Sequence, residues 1–240
     1  MSVFRAFIGV ICLFVAGCTT IPEMPNSDRL IGVKSIALEP LKAKLSAKNM
    51  ALGSPVFIRI FKETKELELW VKTGATYSLF NTYPICNFSG RLGPKLREGD
   101  RQAPEGIYWV DAEALNPLSD SHLSFNLGFP NSFDLAHSRT GSYLMVHGGC
   151  GSIGCYAMTD PAIEEIYLLV EAALKGGQKR VQVHALPFRM SEVKLSQNAQ
   201  NEWIGFWREL AAIDNGFEQS KRVPKVEVFG TNYVQNGYLK

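Results

Sequence analysis

The stretch from His147 to Met158, HGGCGSIGCYAM, restricts the architecture of this chain more than any other. A short apolar run, Tyr143–Val146, ends at His147 and places the histidine at a strand end. Thr159-Asp160-Pro161 follows and opens a helix: Thr159 or Asp160 can cap it, and Pro161 suits its first position. A strand, a glycine-rich turn and a helix must therefore meet here. His147 and Cys155 lie eight positions apart with small residues between them. Such a turn can set an imidazole beside a thiol while keeping bulky side chains away, the minimum for a cysteine nucleophile activated by histidine.

The rest of the chain reads as β-rich. Pro55–Phe61 and Glu66–Val71 form an expected hairpin, the second run alternating Leu67, Leu69 and Val71 on one face. Tyr77–Phe80, Ile107–Val110, Ser124–Leu127 and Arg180–Ala185 are further strands, and Gly90–Gly106 is a polar loop. Asn131–Arg139 reads as irregular. The helix opened at Thr159 carries Ile163, Ile166, Leu169, Val170 and Leu174 on one face and stops at Gly176-Gly177. Asn201–Ile213 is a second amphipathic helix, and Pro224–Phe229 an extended closing segment. This order predicts a β-dominated α+β domain.

The N-terminus has a separate logic. Arg5 precedes an apolar run from Ala6 to Val15, too short to span a bilayer and typical of a secretory signal. Val15-Ala16-Gly17-Cys18 resembles a bacterial lipobox, which implies a signal peptide over 1–17 and a lipid on Cys18. By the same resemblance, Thr19 rather than Asp after the cysteine implies an outer-membrane lipoprotein. Residues 18–45 are expected to be a tether or linker, most flexible up to about Asp28, where two prolines fall. A net charge of +2 is too weak to argue for nucleic acid or an acidic membrane, and no nucleic-acid partner is expected. Besides Cys12 and Cys18, three cysteines remain, Cys86, Cys150 and Cys155; an odd number in an oxidising compartment leaves a thiol over.

The residues alone leave several readings of the turn open. Cys155 can be a nucleophile with His147 as its base, Ser152 orienting the turn and amides near Gly154 meeting an oxyanion. Cys150 and Cys155 can instead form a local disulfide. His137, His147, Cys150 and Cys155 can bind zinc, although the spacing is not a common zinc pattern. The glycines can also serve turn geometry alone. An activated Cys155 is expected to alkylate faster than an ordinary thiol near neutral pH.

His147-Gly148-Gly149 resembles the His-Gly-Thr element of the L,D-transpeptidase catalytic domain, the YkuD-type family. Ser152-Ile153-Gly154-Cys155 resembles its Ser-His-Gly-Cys element, and Ala103–Tyr108 its Thr-Pro-x-Gly-x-Phe segment. The stretch His122–Asp160 is most similar to the YafK-like branch, and the likeness covers roughly residues 50–190 and the C-terminal helix. The resemblance implies a YkuD-like catalytic domain over 46–190, with a C-terminal helical extension over 191–240 packed on it. It implies Cys155 as nucleophile, His147 as base, and Ser152, Gly154 and Gly149 in the oxyanion loop. No cofactor or metal is expected. The implied substrates are peptidoglycan stem peptides containing diaminopimelate, in the periplasm or cell envelope.

Three departures from the family pattern stand out. Its histidine usually lies about twice as far before the cysteine, which makes His137 a second candidate base. Ile153 stands where the family has histidine, and Ala157 where it often has Arg or Asn. Transfer of the acyl group to an amine and its hydrolysis both remain open, since members of the YafK-like branch are similar to amidases that release a lipoprotein from peptidoglycan. A non-catalytic, peptidoglycan-binding envelope lipoprotein is a third class. Arg139 is a candidate clamp for a substrate carboxylate. Tyr156 can wall the pocket or pack in the core, and the four tryptophans, His122 and His184 read as structural.

Overall fold

The computed structural model describes residues 23–239. Cys12, Cys18 and the signal sequence expected over 1–17 lie outside the described residues. The chain order is α1 (Asp28–Ser46), β1 (Val56–Phe61), β2 (Glu66–Thr73), β3 (Thr76–Pro84), β4 (Asn87–Phe88), β5 (Gly106–Val110), β6 (Leu115–Asn116), β7 (Ser124–Asn126), α2 (Ser132–Ala136), β8 (Met145–His147), β9 (Tyr156–Ala157), α3 (Asp160–Lys175), β10 (Val181–Leu186), α4 (Glu192–Gln197), α5 (Ile204–Ser220), β11 (Pro224–Phe229) and β12 (Asn232–Tyr238). The class is mixed α+β. Two five-stranded sheets, ordered β3-β2-β1-β10-β5 and β4-β9-β8-β7-β6, are joined by a separate β11–β12 hairpin.

The first sheet is buried on both faces at its centre, so β1 and β10 read as continuous apolar runs instead of alternating ones. Their side chains still alternate. Val56, Ile58 and Ile60 with Val181, Val183 and Ala185 face the main core, which also takes in α3, α1 and the second sheet. Phe61 and Leu186 face the opposite side, where Trp207, Leu210 and Ile213 of α5 pack. Arg59 also points that way. It is held by Glu68 at 2.7 Å, Asp214 at 3.0 Å and Glu218 at 2.6 Å, over the rings of Trp70 and Phe217. A buried guanidinium needs such a set of partners, since desolvating an unpaired charge costs several kcal/mol. Lys62 and Glu105, both fully buried, pair at 3.1 Å, and the other oxygen of Glu105 accepts from the Trp207 indole at 2.8 Å.

The hairpin of β1 and β2 pairs in the expected register, Val56 opposite Val71 and Phe61 opposite Glu66. Helix α3 starts and stops where its capping and glycine signals predict. Several elements differ from expectation: α5 runs from Ile204 to Ser220 instead of Asn201 to Ile213, and the short helix α4 precedes it. From Asp28 onward the tether is the 19-residue helix α1, which buries Leu30, Val33, Leu41 and Leu45 and has Ser27 as its cap. The irregular segment 131–139 holds the short helix α2, closed by a capping box in which Asn131 and Asp134 exchange side-chain-to-amide bonds. The C-terminus continues past the extended segment into a hairpin, β12 folding back on β11. Among the described residues, no helix is long and apolar enough to cross a membrane.

Candidate active site

Strands β8 and β9 are paired in parallel, Val146 opposite Tyr156 and His147 opposite Ala157. Continued one step, the register sets Cys155 opposite Met145. Because side chains alternate along a strand, Cys155 shares a face with Ala157 and hence with its neighbour His147. Both open on one cleft of about 320 Å³, lined also by Met145 and by Asn116, Leu118, Ser119, Asp120 and Ser121. The histidine and cysteine of the turn are therefore brought to one cavity by strand pairing.

Cys155 is a free thiol and half-buried. The Met145 N–H points at Sγ from 3.4 Å, and the thiol donates to the Tyr143 carbonyl at 3.6 Å. Burial pushes the Cys155 thiol up; the Met145 amide and the positive charge of Lys95 pull the other way and are outweighed. Burial thus works against the thiolate fraction expected near neutral pH, and a base that takes the proton during attack offsets that cost.

His147 is buried at the end of β8, and its Nδ1 lies 2.6 Å from the Gly148 carbonyl. A carbonyl can only accept, so Nδ1 carries a proton, and in the neutral imidazole the lone pair is then on Nε2. His147 is thereby set as a base through Nε2. His137 is occupied elsewhere: it caps α2, packs at a tilt against Phe133 and has Nε2 on the Thr231 carbonyl at 2.8 Å.

The turn between them is held by specific contacts. Ser152 Oγ donates to the Cys155 carbonyl at 2.7 Å, and Ser89 Oγ donates to the Ser152 carbonyl at 2.8 Å. Gly154 has φ +111°, a conformation that side-chain-bearing residues rarely adopt. The Gly149 amide is bonded to Asp160 at 2.8 Å, so it is not available to an oxyanion; that part of the expected loop falls away. Cys150 pairs with Cys86, not with Cys155. This excludes the local disulfide, and with Cys150 oxidised and His137 engaged it dissolves the four-ligand zinc reading. Among the described residues, no group of three or more His, Cys, Asp or Glu is placed to hold a metal.

Arg139 is neither a surface residue nor an open clamp. It is buried, paired with Asp134 at 2.8 Å and set against the rings of Phe133 and Phe206. Tyr156 is fully buried, its hydroxyl on the Pro104 carbonyl at 2.6 Å, so it packs in the core. Two contributions escaped the sequence. The lip at 116–121 joins the cleft only through the β6–β7 fold-back, with no signal beyond turn-forming Asn, Pro, Ser and Asp. Lys95, buried and paired with Asp100 at 2.5 Å, sits in a polar loop where nothing distinguishes it from a solvated lysine.

The chain is 46% identical over 187 residues to YafK of Escherichia coli strain K12, a protein named as a candidate L,D-transpeptidase; the match covers 78% of this chain and 76% of that one. The protein of the same name from Escherichia coli O157:H7 matches to the same extent. No family model matches the sequence. Among solved structures, the helical cell shape determining protein Pgp2 of Campylobacter jejuni aligns at a TM-score of 0.46 and 17% identity, covering 80% of each chain. Bd1075 of Bdellovibrio bacteriovorus aligns at 0.40 and 22% identity, over 69% of this chain and 61% of that one. Likeness at that level is too low to identify a shared fold.

Proposed function

Because the chain belongs to the YafK-like L,D-transpeptidase-type family, we propose that it is a peptidoglycan-acting enzyme of the cell envelope, with Cys155 as its nucleophile. The observation that carries this reading is the opening of a free thiol and a base-configured imidazole on one cleft. In the proposed reaction, a diaminopimelate-containing stem peptide presents an amide carbonyl to Sγ. As the S–C bond forms, the thiol proton passes to His147 Nε2 and charge develops on the carbonyl oxygen. Main-chain amides around Gly154, in a turn fixed by Ser152, face that charge without having to reorganise. Collapse breaks the C–N bond, the departing amine takes the proton from His147, and a thioester remains on Cys155. An amine or water then attacks the thioester, again losing its proton to His147, and the thiol is restored. Because burial disfavours the thiolate, His147 and Cys155 act as one unit, a base-coupled nucleophile.

Hydrolysis is the second reading of the last step. Ile153 is 80% exposed beside the nucleophile, at the position where the resembled pattern has histidine, so that side of the site offers no ring nitrogen to an incoming amine. By the lipobox resemblance the protein is held in the envelope by a lipid on Cys18, and a peptidoglycan-linked lipoprotein is then a candidate substrate.

The test is incubation of the purified protein with tetrapeptide muropeptides, with and without added diaminopimelate amine acceptor, and measurement of enzyme and products by mass. An acyl adduct on Cys155 is expected, absent from Cys155→Ala. Transfer products that rise with acceptor identify a transpeptidase, and cleaved peptide alone an amidase. Full turnover by Cys155→Ala, or activity lost to a chelator and restored by zinc, refutes the cysteine mechanism. A protein that binds muropeptides but never acquires the adduct is a binding lipoprotein.

A further inference from the structure

The cleft has one wall that the reaction as written does not use. Residues 116–121 form it: they lead from β6 toward β7 of the same sheet and line the cleft together with His147 and Cys155. This lip is held through its backbone. Ser27 Oγ donates to the Pro117 carbonyl at 2.9 Å, and Arg29 Nη1 donates to the Ser119 and His122 carbonyls at 2.6 Å each. The Ser121 carbonyl accepts from the Gly148 amide at 3.0 Å, directly beside the base. Helix α1 and the His147 turn thus fix the lip from two sides. Arg29 gives Nη1 to these two carbonyls and, among the described residues, forms no ion pair with the lip's own acid, Asp120.

Asp120 is the lip's charged side chain and the one acidic group lining the cleft; no lysine or arginine lines it. Its carboxylate is exposed and, among the described residues, takes part in no ion pair or side-chain hydrogen bond. An unpaired carboxylate on a backbone-anchored lip, in a cleft lined by no lysine or arginine, favours a cationic group and repels an anionic one. Pre-positioning by the backbone lowers the ordering cost of that contact.

We propose that Asp120 is a specificity-determining residue that binds an ammonium group of the substrate. This deepens the proposed function and rests on it. An ammonium is available from two sources: the side-chain centre of diaminopimelate in the acyl donor, or the amine acceptor that enters. Both share one chemistry, and the experiment separates them.

Acylation of Cys155 is followed by intact mass for wild type, Asp120→Asn and Asp120→Lys. The donor is tetrapeptide muropeptide with the diaminopimelate amine either free or acetylated. In a second arm the donor is fixed and the acceptor amine is varied. An exposed charge pair contributes modestly, so KM is expected to rise about three- to fivefold in Asp120→Asn, with kcat retained, and further in Asp120→Lys. Added salt should shrink the wild-type preference for the charged partner. If the free amine of the donor is the ligand, wild type discriminates free from acetylated donor and Asp120→Asn does not. If the amine acceptor is the ligand, the donor arm is flat and the acceptor arm shifts. A normal acyl adduct with unchanged KM in both arms for both variants overturns the assignment while leaving the proposed function standing. Failure of wild type to acylate with any stem peptide removes both.

Discussion

Loss of the Cys86–Cys150 bridge should destabilise this protein severely. The bridge joins residues 64 apart, tying the entry to β4 to the turn between His147 and Cys155. In the chain-entropy treatment a loop of that length is worth about 4 kcal/mol. A bridge from Cys150 to Cys155 would close only five residues and be worth about 2 kcal/mol on the same scale. For a chain of this size 1 kcal/mol moves Tm by about 2–4 °C, so the native bridge corresponds to about 8–16 °C. Cys86 is exposed and Cys150 half-buried, so a small dithiol can reach the bond without unfolding the protein. The assay is thermal unfolding of wild type, oxidised and reduced, beside Cys86→Ser/Cys150→Ser, with peptide mapping of the unreduced protein. Reduced wild type and the double variant should unfold at the same lowered temperature, and Cys155 should be recovered as a free thiol. A double variant unfolding within about 2 °C of oxidised wild type, or a mapped link between Cys150 and Cys155, would refute the reasoning.

His147→Ala should reduce acylation about as much as loss of Cys155, because members of a catalytic unit are not additive; His137→Ala, whose imidazole serves the α2 cap and Thr231, should cost far less. Single-turnover acylation rates decide, and the reverse order transfers the base role. Alkylation of Cys155 by iodoacetamide in the resting protein should keep rising through pH 9: burial penalises the anion, which raises the thiol and leaves the thiolate scarce near neutrality. A rate that levels off near pH 7 contradicts this. Arg139→Ala should lower Tm through the buried Asp134 left without its partner, a loss of about 3–5 kcal/mol, and truncating both residues should cost less than the sum. Cys18→Ser should release the protein from membranes and abolish labelling by a palmitate analogue; labelling absent from wild type as well rules out the lipid anchor.

Local pattern determined much of this molecule. The alternation in Glu66–Val71, the apolar face from Ile163 to Leu174 and the Thr-Asp-Pro start before Gly176-Gly177 are short-range signals, and β2 and α3 follow them. The same locality placed His147 and Cys155 at opposite ends of one glycine-rich turn. What tertiary structure alone decided are relations between distant residues. Helix α1 was hidden by the prolines before it, by Pro40 within it and by a weak apolar period, and it exists because α3 and the main core supply partners for Leu30, Val33, Leu41 and Leu45. Three cysteines allow several pairings, and only the approach of the segment before β4 to the His147 turn selects Cys86 for Cys150. Arg139 looks solvated among Ser138 and Thr140, but α2 folds Asp134 onto it beneath α5. The shared face of His147 and Cys155 comes from the parallel register of β8 and β9, and the cleft's far wall from a segment about 30 residues upstream of the base. Periodicity reports which face of an element is buried; which element covers it is settled by long-range packing, to which a single sequence gives no local clue.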